Sequence, residues 1–141
     1  SERAPSESAP GESAPGESAP AVQALRRRQM QGFGEDAADS YLRGLGYEIL
    51  ARNWSTKMGE LDLVARNDQM IVFVEVKARA GESFVPAEQC VDYRKQVKLR
   101  RTAQAFLATH RSREAEECRF DVIAVVTSGQ RPVIRHIENA F

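Results

Sequence analysis

The chain has 141 residues, 42% of them hydrophobic, with 20 basic and 20 acidic side chains. That is enough for one domain around one core, and the charge balance permits a polyanionic partner without demanding one. Two isolated cysteines, Cys90 and Cys118, exclude a disulfide framework and offer no CxxC metal motif, and His110 and His136 lack ligand spacing. No apolar run is long enough for a signal-peptide core or a membrane span, so a cytoplasmic protein is expected.

Residues 1–20 read SERAP, SESAP, GESAP, GESAP, a five-residue repeat that closes each unit with proline. Such a segment has little apolar surface to bury and loses a backbone donor every fifth residue. A disordered tail over residues 1–22 and a single domain over 23–141 are therefore expected. Residues 1–20 hold four Glu and one Arg, so the rest of the chain carries 19 basic and 16 acidic residues, a net charge of +3.

After a short basic stretch, ALRRRQM, residues Ala37, Ala38, Tyr41, Leu42 and Leu45 fall at helical spacing until RGLGY stops the pattern. The spacing predicts a first helix over roughly 33–45. YEILARNW at 47–54 and ELDLVAR favour strands, separated by the turn STKMG, and ND marks a turn into a third strand at about 70–78. RAGESFVPAEQ has no period and reads as a loop. Leu99, Ala103, Phe106 and Leu107 then share one stripe of a helix over about 92–109. RFDVIAVVT follows as a buried strand, and PVIRHIENA as a short edge strand opening on proline. The order predicts an α/β fold with a mixed sheet flanked by helices.

The third strand, MIVFVEVKAR, poses a problem. Its apolar residues fit a strand buried on both faces, yet it ends in Glu75 and Lys77, and buried charges are costly unless paired or bound. Alternation puts Glu75 and Lys77 on one face with Ile71 and Phe73. If Asn67 and Asp68 form a two-residue turn, Asp62 lies opposite Phe73 on that same face, one diagonal step from Glu75, and any even loop preserves the face. Two carboxylates and a lysine then converge. They suit metal-assisted phosphodiester hydrolysis: Asp62 and Glu75 as hard oxygen ligands to Mg²⁺ or Mn²⁺, and Lys77 orienting the attacking water. The plain alternative is a same-face ion pair where a strand emerges into solvent.

Taken in order, GEDAADSYLRGLGYEILARNW, GELDLVAR, FVEVKAR, RKQVKLRRTAQAFL and RFDVIAVV resemble the YraN family, from about Gly32 to Val126. That family is regarded as predicted members of the PD-(D/E)XK nuclease superfamily, similar in pattern to archaeal-type Holliday junction resolvases. The resemblance implies a restriction-endonuclease-like core, α-β-β-β-α-β. It also implies that Asp62, Glu75 and Lys77 are catalytic, with Glu35 an additional acidic residue near the metal. The proline of the superfamily motif is absent, the segment being Gly59, Glu60, Leu61, Asp62; Glu60 shares a face with Asp62 and is a second-rank ligand candidate. Glu35 is also explained by a favourable position at a helix start.

Arg94, Lys95, Lys98, Arg100 and Arg101 place five positive charges within eight residues of the second helix. They read either as a solvated face or as phosphate contacts, and the resemblance puts the Lys95 region beside the metal centre. Lys95, Lys98, Arg94 and Arg101 are the expected nucleic-acid contacts, with Arg26, Arg27 and Arg28 weaker candidates on a mobile arm. No recognition helix, zinc finger or aromatic single-strand platform is legible. The expected activity is a divalent-metal-dependent DNA endonuclease acting on branched or flapped DNA by shape rather than sequence. The alternative is a non-catalytic DNA-binding or repair-accessory module. No membrane partner is expected, and a homodimer is left open.

Overall fold

The computed structural model describes residues 18–81, 91–110, 117–127 and 131–141. Helix α1 spans Ala19–Gly44 and strands β1, β2 and β3 span Glu48–Thr56, Gly59–Asn67 and Met70–Ala80. Helix α2 spans Tyr93–His110, and β4 (Glu117–Thr127) and β5 (Pro132–Ile137) complete the chain. The five strands lie side by side in the order β1-β2-β3-β4-β5. Among the described strands only the β3–β4 pair is parallel, so the sheet is mixed, as α2 between these strands requires.

Among the described residues each face of the sheet carries one helix. Ala38 and Leu42 of α1 pack on Leu63, Ala65, Val72, Val74, Val76, Ile123 and Val125. Leu99, Ala103 and Phe106 of α2 pack on Leu61, Val64, Ile71, Phe73 and Val122. The alternation of β3 between the two clusters explains its continuous apolar run: both faces are covered. Among the stripe residues expected to hold α1, Leu45 does not join the core. It caps the helix and is exposed, because the chain turns at Gly46, which takes a positive φ of 98°.

The largest departure from the expected boundaries is the start of α1. The helix begins at Ala19, with the Ser18 hydroxyl accepting from the Ala21 amide and Pro20 in the first turn. The last SAP of the repeat thus supplies an N-cap and a helix-compatible proline. Residues 19–22, assigned to the tail, are helical, and so are Arg26, Arg27 and Arg28, assigned to a mobile arm. The rest of the repeat, most of the loop read at 79–89, and Cys90 lie outside the described residues.

The β2–β3 hairpin turns at Asp68 and Gln69, with Asn67 paired to Met70, and Asp68 adopts a left-handed φ of 56°. The turn sits one residue later than Asn67–Asp68. Its loop is still two residues long, so the parity of the faces holds and the register moves by two. Leu63 pairs with Val74 as the last described pair, which brings Asp62 level with Glu75 rather than Phe73.

Candidate active site

Beyond Leu63 and Val74 the pairing of β2 with β3 ends, and the site is built in that opening. The Asp62 Oδ2 atom accepts the Val76 backbone N–H at 2.9 Å. From α1, Gln31 Nε2 donates to the Val76 carbonyl at 3.0 Å, to Glu35 Oε2 at 3.1 Å and reaches Asp62 Oδ2 at 3.5 Å. One amide therefore links two carboxyl groups to the backbone of β3. It can do so because α1 runs close to β3: a Cβ on Gly34 would stand 2.5 Å from Ala78 Cβ.

From the other side of the sheet, α2 delivers Lys95. Asp92 precedes the helix and accepts the Lys95 amide at 2.9 Å, an N-cap contact that fixes the first turn. Lys95 Nζ then lies 2.5 Å from Glu75 Oε2, and Lys77 Nζ lies 3.5 Å from the same oxygen. Glu75 is buried, with 6% of its surface exposed, so two ammonium groups compensate a carboxylate that little water reaches. A cleft of about 440 Å³ opens over this end, lined among others by Glu60, Asp62, Glu75, Arg94, Lys95 and Lys98.

The electrostatics are those of a crowded carboxylate pair. Burial, and then the charge of Glu75, push the Asp62 carboxyl up to about 7, against the Val76 N–H that favours its ionised form. Burial works against the charge of Lys95, but the bond to Glu75 outweighs it and holds the ammonium above its ordinary value.

Asp62, Glu75, Lys77, Glu35 and Lys95 thus meet at one end of β3, with Lys98 and Arg94 on the cleft wall. Glu60 is exposed and lines the same cleft. The three-carboxylate ligand set is not gathered: among the described residues no three His, Cys, Asp or Glu side chains are grouped to hold one ion. Glu35, 4% exposed, reaches Asp62 through Gln31 and is also approached by Arg52 at 3.9 Å. Two basic residues of α2 stand apart from the cleft lining, Arg100 and Arg101. Arg100 lies over the rings of Phe120 and Phe141, with its guanidinium carbon 5.1 and 5.5 Å from their centroids.

A family model described as uncharacterised protein family UPF0102 matches residues 34–125. The chain belongs to UPF0102. A UPF0102 protein of Desulforamulus reducens is 43% identical over 121 residues, covering 84% of this chain and 99% of the relative. One from Nocardia farcinica is 41% identical over 116 residues, covering 82% and 91%. Another, from Stutzerimonas stutzeri, is 43% identical over 107 residues, covering 76% and 89%. The UPF0102 match encloses Glu35, Asp62, Glu75, Lys77, Lys95 and Lys98, and begins after Gln31 and the three consecutive arginines.

Sequence reasoning about this UPF0102 chain missed Gln31, whose role depends on a helix start placed too late. It also missed the pairing of Lys95 with Glu75, which no spacing rule reveals across elements. The pairing of Asp121 with His136, a histidine read only as lacking ligand spacing, was missed too. Asp121 is fully buried and bound by Arg119 at 2.8 and 2.9 Å, His136 Nε2 at 2.7 Å and the Asn139 amide at 2.9 Å. His136 Nδ1 meets the Tyr41 hydroxyl at 3.2 Å, so this cluster ties β4, β5 and α1 together. No helix of the described residues is long and apolar enough to cross a membrane.

Proposed function

We propose that this chain is a divalent-metal-dependent DNA endonuclease of the YraN and PD-(D/E)XK kind. The observation that carries the reading is the convergence of Asp62, Glu75 and Lys77 where β3 has parted from β2, with Asp62 and Glu75 lining an open cleft walled by basic residues. The donor set suits Mg²⁺ or Mn²⁺. Asp62 and Glu75 offer hard oxygens, and the raised Asp62 carboxyl marks a pair of acids that a cation would relieve. Asp62 and Glu75 would hold the ion, with Glu35 acting through Gln31 as a positioning residue rather than as a ligand.

When bound, the ion would supply Lewis acidity, polarising the scissile phosphodiester and making water a better nucleophile near neutral pH. The chain's own residues do the rest. The Val76 amide and Gln31 hold the Asp62 carboxyl in one orientation, so little reorganisation is left for the moment of reaction. Lys77, half-buried on the same strand face as Glu75, donates to the attacking water and fixes its line of approach. Lys95, Lys98 and Arg94 take the flanking phosphates. The preference for branched or flapped DNA rests on the resemblance to junction resolvases.

One observation favours a second reading. Lys95 Nζ lies against the Glu75 carboxylate, where it would compete with a cation, as in a DNA-binding module that kept the fold without catalysis. Linear, flapped and four-way DNA incubated with Mg²⁺ or Mn²⁺, beside an Asp62→Asn control, separates the two. Cation-dependent cleavage lost in Asp62→Asn supports the nuclease, whereas tight binding without cleavage on every substrate supports the second reading.

A further inference from the structure

Helix α1 is longer than the sheet it covers. The Thr127 hydroxyl lies 3.9 Å from Met30 Sδ, and Thr127 is paired with Ala80, so Met30 stands level with the last residues of β3 and β4. Gly34 then packs on Ala78 and Val76, and the helix continues back along the sheet through Ala38 and Leu42. The residues before Met30 therefore project past the end of the sheet that carries Asp62 and Glu75. Ala19 to Gln29 form an overhang of about 16 Å at the usual helical rise.

The overhang has an unusual charge pattern. From Ala19 to Gly34 the helix contains three arginines and no acidic residue, so positive charge accumulates in the half of a helix whose dipole already disfavours it. Arg26, Arg27 and Arg28 are all exposed. The second half is different: Glu35, Asp36 and Asp39 are all approached by Arg52. Among the described residues, compensation is thus built around the half that packs and not around the half that projects.

The face matters as much as the charge. The sheet-facing stripe of α1 runs through Leu42, Ala38, Gly34, Glu35 and Gln31. Continuing it by three and four residues from Gln31 gives Arg28 and Arg27, whereas Arg26 falls off the stripe. Arg27 and Arg28 hence lie one turn before Gln31, which touches Glu35, Asp62 and Val76, on the α1 side of the sheet, whereas Lys95, Lys98 and Arg94 stand on the α2 side. We propose that the α1 overhang is a rigid arm whose Arg27 and Arg28 bind the phosphate backbone of DNA on the side of the cleft opposite α2. The arm deepens the endonuclease reading and rests on it: the substrate is a duplex segment gripped from two sides, not a strand end held by α2 alone.

Equilibrium binding of a fluorescent flapped duplex across a salt series, in Ca²⁺ to hold back cleavage, tests the arm. Replacing Arg27 and Arg28 together by Gln should weaken binding by about tenfold or more at low salt. It should also reduce the slope of log affinity against log salt by about two, since each phosphate contact contributes about 0.9. Arg26→Gln should do much less, because it lies off the face. Gln29→Pro, which keeps every charge but breaks the helix before the sheet, should lose affinity like the double variant, whereas Gln29→Ala should not. All four changes lie at exposed positions, and a thermal melt checks that the domain is intact. Equal losses for Arg26 and the Arg27 and Arg28 pair, or full affinity in Gln29→Pro, would overturn the rigid arm while leaving the nuclease reading in place. A parent protein that binds no DNA would remove both.

Discussion

Asp62 Oδ2 stands 2.9 Å from the Val76 backbone nitrogen, a hydrogen bond from a side chain on β2 to the strand that carries Glu75 and Lys77. It is made where the described β2–β3 pairing has already ended, after Leu63 and Val74. The carboxyl group thus serves both the backbone and the cleft, and burial, followed by the charge of Glu75, pushes it up to about 7.

That perturbation has a definite sign. The folded state holds the Asp62 proton more tightly than the unfolded chain, whose ordinary value is 3.8. The contribution of this group to stability is full below that value and falls as pH rises through the interval up to about 7. In cation-free buffer, Asp62→Asn should flatten this part of the stability curve and be neutral or stabilising at pH 7, since the amide oxygen can still accept the Val76 N–H. A cation must displace the proton, so Mn²⁺ affinity should climb by up to about tenfold per pH unit below pH 7 and then level off. Calorimetric titrations at several pH values check this, and a pH-independent affinity would contradict it.

Asp121 should behave oppositely. Burial alone would raise its carboxyl, but bonds from His136, Arg119 and the Asn139 amide outweigh burial and hold it below the ordinary range. Its stabilising contribution is present above the unfolded value and is lost as pH falls through the folded one. Asp121→Ala should cost about 3–5 kcal/mol, because it strands Arg119 in a largely buried setting, and should leave cation affinity unchanged. Urea unfolding of the two aspartate variants in parallel measures the contrast.

The contact between Gly34 and Ala78 sets the distance from α1 to β3. Gly34→Ala ought to gain about 1 kcal/mol from helix propensity alone. The added Cβ would instead meet Ala78 Cβ at 2.5 Å, so a net loss of about 1–3 kcal/mol is expected, with the Gln31 bridge displaced as well. A stabilised variant would show that the helix can shift at no cost.

The basic face of α2 divides by position. Arg100→Ala should lower stability by about 0.5–2 kcal/mol through its lost contact with Phe120 and Phe141, with little change in DNA affinity. Lys98→Ala should do the reverse, because Lys98 is exposed on the cleft wall. Melting curves and binding isotherms on the same two proteins decide it.

The parts of this architecture written in local pattern were legible. Val72, Val74 and Val76 alternate with Ile71, Phe73 and Glu75, so the strand and the shared face of Glu75 and Lys77 followed from a period of two, and an even turn brought Asp62 to them despite a register moved by two. The start of α1 was hidden because Ser18 and Pro20 sit inside a low-complexity repeat, and a cap is recognised only by the helix that follows. Lys95 on Glu75, Gln31 on Val76 and His136 on Asp121 each join two different elements, and nothing in the spacing of either partner announces them.

Catalysis by Glu75 and Lys77 of β3 is the step of the proposed function that a cleavage assay reaches. Single-turnover cleavage of flapped and four-way DNA at saturating enzyme with Mn²⁺, with binding measured on the same substrates, tests it most directly. Lys77→Ala should slow cleavage by about 10²–10⁴-fold while affinity changes far less. Cleavage by Lys77→Ala as fast as by the parent would contradict the account and return Glu75 and Lys77 to an ion pair at the end of a core strand.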